Sequence, residues 1–143
     1  MVNMNQENKL KQILIMRKDL KCRRGKESAQ LSHASNQIIL ENLEELYEIQ
    51  YGSGKFSSAI PAQAHKLHEW CFNGKFTKIC VYVNSEQELL DIYNKAKEQN
   101  ILCSLITDSG LTEFHGFPTI TCCALGPDYS EVLNPLTSHL KLM

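Results

Sequence analysis

Residues 10–34, LKQILIMRKDLKCRRGKESAQLSHA, contain the pattern that most clearly indicates the fold. It joins an apolar run, Ile13 to Met16, to a basic loop and then to a long helical pattern that begins at Gly25-Lys26. A short apolar run without alternation is typical of a strand buried on both faces of a parallel sheet. A buried strand that leads into a helix therefore predicts an α/β protein.

The rest of the chain repeats this alternation. Further strands are predicted at Ile79–Val83, Ile101–Ile106 and Thr119–Leu125. Helices are predicted from Gly25 to about Tyr51, from Pro61 to about Phe72 and from the Ser85 cap to Asn100. A short last helix is predicted from an Asp128 cap to Asn134-Pro135, where the proline ends it.

These patterns together predict the architecture. The link from the third to the fourth strand has no helical pattern, so the fourth strand is expected to run antiparallel to the others. We expect a single compact α/β domain with a four-stranded mixed, mostly parallel sheet and helices on both faces. Residues 1–10 are expected to be a polar N-terminal extension and residues 11–143 the domain.

Composition narrows the class of protein. The chain has 143 residues, 43% of them hydrophobic, which fits one domain with a real core. No stretch approaches the roughly 20 apolar residues of a membrane helix, and the polar first residues lack the core of a signal peptide. The six cysteines show no CxxC spacing, so we expect free thiols, no metal site and a cytoplasmic location.

Charge is distributed unevenly although the net charge is only −1. A basic block lies near the start of the chain and consists of Lys9, Lys11, Arg17, Lys18, Lys21, Arg23, Arg24 and Lys26. Such a block on a near-neutral protein favours binding of a polyanion, although a solvated surface gives the same pattern.

A candidate site follows from the predicted topology. Lys26, Gln30 and His33 are spaced i, i+4 and i+7, so they share one face of the predicted helix. Asp108 lies in the predicted loop after the third strand. Ligands of open α/β sheets bind outside the carboxyl ends of the parallel strands, where both groups are expected. An amine, a carboxylate and an amide on a basic rim suit a hydrolytic site.

Several motifs occur in order along the chain. The first is carried by Lys18-Asp19-Leu20-Lys21, Gly25-Lys26, Ala29-Gln30 and His33-Ala34. Later ones are Ser85–Leu90, Leu105–Thr112, Ala124–Pro127 and His139–Leu142. In content and order these motifs resemble one family, the archaeal/eukaryotic-type (second-class) peptidyl-tRNA hydrolases.

The chain departs from the family pattern at several positions. Cys22 replaces a methionine, and Ser28 and Ser109 replace alanines. Phe117 stands where the family has a glycine, and Leu43–Ser58 is longer than in compact members.

The resemblance implies hydrolysis of the ester between a peptide and the 3′ ribose of tRNA. It implies that Asp108 orients a water, that Lys26 stabilises negative charge, and that Gln30 orients Lys26 or substrate. Thr112 and Thr121 would supply hydroxyl groups, and His33 is a further catalytic candidate. The tRNA backbone would be held by Arg17, Lys18, Lys21, Arg23 and Arg24, with Phe114 available for stacking. No cofactor is expected, and a homodimer is expected by analogy with the family.

Simpler interpretations stay open at this point. Asp108 can cap a turn, Lys26 can be a solvated lysine, and His33 can be a hydrogen-bonded core residue. The whole chain can instead be an RNA-binding relative without catalysis, a hydrolase of another acyl ester, or a protein-interaction module.

Overall fold

A mixed sheet between two layers of helices forms the fold in the computed structural model, which describes residues 9–52, 59–111 and 113–143. The strands are β1 (Leu10–Arg17), β2 (Lys78–Val83), β3 (Cys103–Asp108), β4 (Thr119–Tyr129) and β5 (Lys141–Leu142). The helices are α1 (Arg24–Glu41), α2 (Leu43–Tyr51), α3 (Ala62–His68), which continues as a π-helix over Glu69–Asn73, α4 (Glu86–Glu98) and α5 (Ser130–Thr137). Among the described residues, no helix is long and apolar enough to cross a membrane. The predicted extension falls almost wholly on residues outside these ranges.

The sheet has the strand order β3-β4-β1-β2-β5. The predicted number of four strands is wrong, because Val81 and Tyr82 of β2 pair with Leu142 and Lys141. That fifth strand has two exposed residues, too few for a recognisable pattern.

Strand direction is confirmed for β4, which runs antiparallel to both of its neighbours, β1 and β3. β4 lies between β3 and β1 and separates these two strands. The one parallel pair of neighbouring strands in the described sheet is therefore β1 and β2. The sheet is therefore mixed, but it is less parallel than the alternation of strands and helices suggested.

Two apolar clusters cover the two faces of the sheet. Cys122 packs with Met16 and Trp70 in the cluster under α1, whereas Cys123 packs with Ile15 in the cluster under α4 and α5. The two neighbouring cysteines therefore point to opposite faces of the sheet, as successive strand residues do. All six cysteines are free, and burial raises the pKa of Cys122 to about 12. These thiols therefore act as small hydrophobic groups.

Two helices differ from the sequence predictions in where they end. The long first helix is two helices, because the chain leaves helical geometry at Asn42 (φ −120°, ψ 20°). The last helix does not stop at Asn134-Pro135 but continues to Thr137. Pro135 removes only one helical N–H, and buried Leu133 and Leu136 hold the helix against the sheet on either side of it.

The Ser85 cap is confirmed, since its hydroxyl accepts from the Glu88 N–H at 3.1 Å. The Asp128 cap is wrong, because the cap of α5 is Tyr129 and Asp128 pairs with another helix. Its Oδ1 accepts from Lys66 Nζ of α3 at 2.9 Å, and its side chain is only 1% exposed. This ion pair ties α3 to the end of β4.

The Lys66–Asp128 pair generates a stability prediction. Lys66→Met leaves the Asp128 carboxylate buried without its cation, so we expect the free energy of unfolding to fall by about 3–5 kcal/mol. Lys66→Arg keeps the charge and is expected to lose much less. Urea unfolding of both variants measures this; a Lys66→Met protein as stable as the wild type would show that the pair contributes nothing.

Candidate active site

An ion pair joins the first turn of α1 to the last residue of β3. Lys26 Nζ lies 2.8 Å from Asp108 Oδ2, and the two side chains are 14% and 12% exposed. The Lys26 hydrogen bond is the largest cause of the lowered pKa of Asp108, which keeps the carboxylate ionised. Asp108 is thus the last residue of β3. The sequence analysis placed it in the loop after the strand, and that prediction is wrong.

Gln30 and Thr121 extend this pair into a buried network. Gln30 Nε2 donates to Asp108 Oδ2 at 3.1 Å, and Thr121 Oγ1 donates to Gln30 Oε1 at 2.6 Å. Both Gln30 and Thr121 are buried. The structure therefore brings together four of the predicted site residues. Lys26 and Gln30 lie one turn apart on α1, and Asp108 and Thr121 lie on the neighbouring strands β3 and β4.

A β-bulge places Thr121 in the network. The pairing of β3 with β4 shifts between Ile106↔Cys122 and Thr107↔Ile120, so Thr121 is the extra residue. The bulge turns its side chain to the same helix as that of Cys122, whose Sγ donates to the Gln30 carbonyl at 3.3 Å. Bulges commonly redirect a side chain in this way beside functional sites.

Gly110 holds the other side of Asp108, a role that the sequence analysis did not assign. Its N–H donates to Asp108 Oδ1 at 2.8 Å, and its φ is +84°. A Cβ at this position would lie 2.2 Å from the Phe117 carbonyl oxygen, so only glycine fits. The Asp-x-Gly spacing of residues 108–110 was the sequence pattern from which this contact could have been predicted. Phe117 itself turns its side chain to solvent at 71% exposure.

Three further residues surround Lys26. Glu27 is buried and pairs with Lys18 at 2.9 Å, and the Phe114 ring centre lies 5.7 Å from Lys26 Nζ. Cys22 is half-buried, and burial, followed by the charge of Glu113, raises the pKa of its thiol. Glu27 and Cys22 were missed because nothing local to their sequence marks them as site residues.

Two predicted catalytic residues are not in the network. His33 is exposed on α1 and lines a groove beside β3. Thr112 lies outside the described residues.

The predicted tRNA-binding residues divide into two groups. Arg17 is buried and donates to Asp19 Oδ2 at 2.7 Å and to the Ile120 carbonyl at 2.8 Å. Lys18 is half-buried against Glu27. The second group is exposed, on the loop that leads into α1 and on the first residue of that helix, and consists of Lys21, Arg23 and Arg24. An exposed cationic surface thus lies at the start of the helix that carries Lys26 and Gln30.

Metal ligands do not cluster in the part of the chain that the structure describes: no group of three His, Cys, Asp or Glu side chains there could hold an ion. The network can bind water and an anionic oxygen through its own ammonium, amide and carboxylate groups.

Comparison with known proteins identifies the family of this chain. The family model described as "Peptidyl-tRNA hydrolase PTH2" matches residues 10–143. Among similar proteins, the peptidyl-tRNA hydrolase of Methanocaldococcus jannaschii is 36% identical over 134 residues, which is 94% of this chain and all of the relative. That of Methanothermobacter thermautotrophicus is 36% identical with the same coverage, and that of Thermococcus sibiricus is 36% identical over 139 residues. The chain therefore belongs to the PTH2 family of peptidyl-tRNA hydrolases.

Proposed function

We propose that this chain hydrolyses the ester bond of peptidyl-tRNA at the Lys26–Asp108 pair, releasing a free peptide and a reusable tRNA. The observation that carries the proposal is the buried network of Lys26, Asp108, Gln30 and Thr121, which converges at the end of β3. Membership of the PTH2 family supports the reaction and the substrate class.

Asp108 is proposed to orient the attacking water. Its carboxylate already accepts from Lys26, Gln30 and the Gly110 N–H, which leaves room for one further donor. Because its pKa lies below the ordinary value, Asp108 is a weak base that positions the water and does not deprotonate it beforehand.

Lys26 is proposed to stabilise the oxyanion that forms when water adds to the ester carbonyl. As the C–O bond breaks, the proton from the water passes to the 3′ oxygen of the ribose. Gln30 and Thr121 are positioning residues, since their hydrogen bonds hold the carboxylate in place and Thr121 acts through Gln30.

The exposed cations Lys21, Arg23 and Arg24 are proposed to contact tRNA phosphates. Phosphate contacts are independent of sequence, which suits an enzyme that meets many tRNAs. Arg17 and Lys18 are engaged by Asp19 and Glu27, so we propose that they shape the loop beneath these contacts. Cytoplasmic location and a homodimer stay predictions.

The catalytic pair is tested by Lys26→Ala and Asp108→Asn. We expect each to lower kcat by about 10²-fold or more, because each removes a charge that faces the reacting ester. Release of N-acetyl-aminoacyl groups from tRNA measures the rate, and circular dichroism checks the fold. The matched control is Lys95→Ala, an exposed lysine on α4, which is expected to keep wild-type activity. Near-normal turnover by either folded site variant would contradict the assignment.

The positioning role of Thr121 is tested by Thr121→Val, which removes the hydroxyl donor but keeps the branched shape. We expect kcat to fall by about tenfold with KM nearly unchanged, because Gln30 loses the bond that orients its amide. Thr121→Ser keeps the donor and is expected to restore most of the rate. A purely structural residue would instead give equal losses in both variants, matched by lower stability.

The tRNA surface is tested by Arg23→Glu, measured as KM over a series of salt concentrations. We expect a higher KM and a slope of log KM against log salt that is flatter by about one, the loss of one phosphate contact. Lys97→Glu, the same change at an exposed position on α4, is the control. An unchanged slope in Arg23→Glu would remove this residue from the tRNA surface.

A further inference from the structure

The strand that ends at Asp108 has an open edge. β3 is the first strand of the sheet and pairs only with β4 among the described strands. At the start of this pairing, the Gly126 N–H donates to the Leu102 carbonyl opposite at 2.7 Å. Hydrogen-bonded pairs alternate along an antiparallel ladder, so Ser104 and Ile106 also direct their backbone groups at β4. Cys103, Leu105 and Thr107 therefore direct their N–H and C=O groups outward.

A groove runs along this open edge. It has a volume of about 580 Å³ and is lined by all five residues from Cys103 to Thr107, by His33 and Gln37 of α1, and by Tyr93 of α4. Five strand residues span roughly 16 Å at about 3.3 Å per residue. No backbone hydrogen bond outside the sheet reaches these five residues from the described part of the chain.

The strand and the helix that line the groove also carry the proposed reaction centre. Its Thr107 end adjoins Asp108, and His33 lies three residues after Gln30 on the same helix. A substrate whose ester carbonyl sits at Lys26 and Asp108 would therefore have this groove as an open path for its acyl chain.

We propose that the peptide part of peptidyl-tRNA binds in this groove as an added β-strand on the edge of β3. The inference rests on the proposed function. The carboxyl end of the peptide carries the ester and lies at Asp108, so the peptide runs towards Asp108 in the same direction as β3. The outward N–H and C=O groups of Cys103, Leu105 and Thr107 bind the peptide backbone, and His33 lies against the residues nearest the ester.

Backbone recognition fits the substrate class. Peptidyl-tRNA carries peptides of many sequences, and the groups that they share are backbone N–H and C=O. Strand addition to a sheet edge recognises these groups and leaves side chains free to vary. The three outward-facing residues limit the contact to a peptide of about five residues.

The first test varies the substrate and leaves the protein unchanged. We expect kcat/KM for N-acetyl-peptidyl-tRNA to rise by about tenfold as the peptide grows from one to five residues, and then to stay constant. A single N-methyl group on the peptide backbone is expected to lower kcat/KM at alternate positions only. Equal kcat/KM at all lengths, or N-methyl losses without alternation, would overturn the proposal. If substrates of no length are hydrolysed, the proposed function itself fails.

The second test changes the edge. Leu105→Pro and Leu105→Ala both remove the leucine side chain, but only proline removes the outward N–H. We expect the ratio of kcat/KM for five-residue and one-residue substrates to fall towards one in Leu105→Pro and to persist in Leu105→Ala. A ratio that persists in Leu105→Pro would overturn the proposal. So would sedimentation showing a wild-type dimer that Leu105→Pro dissociates, because a second copy would then occupy the edge. If Leu105→Pro does not fold, the N-methyl series decides alone.

Discussion

The 2.8 Å hydrogen bond between Lys26 and Asp108 links two residues that lie 82 positions apart in the sequence. Both side chains are largely buried, so each charge depends on the other: removing one partner of such a pair leaves an uncompensated charge at a cost of about 3–5 kcal/mol. The pair therefore fixes the start of α1 against the end of β3. Gln30, Thr121 and the Gly110 turn are then arranged around the same carboxylate.

This arrangement explains how both members of an ion pair can still act on a substrate at the proposed hydrolytic site. Asp108 is kept ionised by its donors and retains room for a water, while Lys26 presents a cation beside the same point. The two groups are preorganised before any substrate arrives, so little reorganisation is needed as the oxyanion forms. Exposed cations lie at the start of α1 and the groove runs along β3, which suits a substrate made of RNA and peptide.

Much of the fold and part of the candidate site could be predicted from the sequence. Apolar runs identified β1 to β4, and the i, i+4 spacing together with sheet topology brought Lys26, Gln30 and Asp108 together. The remainder depends on tertiary packing. The bulge that turns Thr121 towards Gln30 arises from the register between two strands, which no local pattern encodes. The burial of Arg17 and the exposure of His33 likewise depend on neighbours distant in sequence.

Lys26 and Asp108 are proposed to act as one unit in ester hydrolysis. A double-mutant cycle on single-turnover hydrolysis of N-acetyl-aminoacyl-tRNA tests this joint action, using Lys26→Ala, Asp108→Asn and the two combined. Groups that act together give non-additive losses, so we predict that the double variant is about as slow as the slower single variant. If the two losses multiply in full, the residues act independently and the account of a joint catalytic centre is wrong.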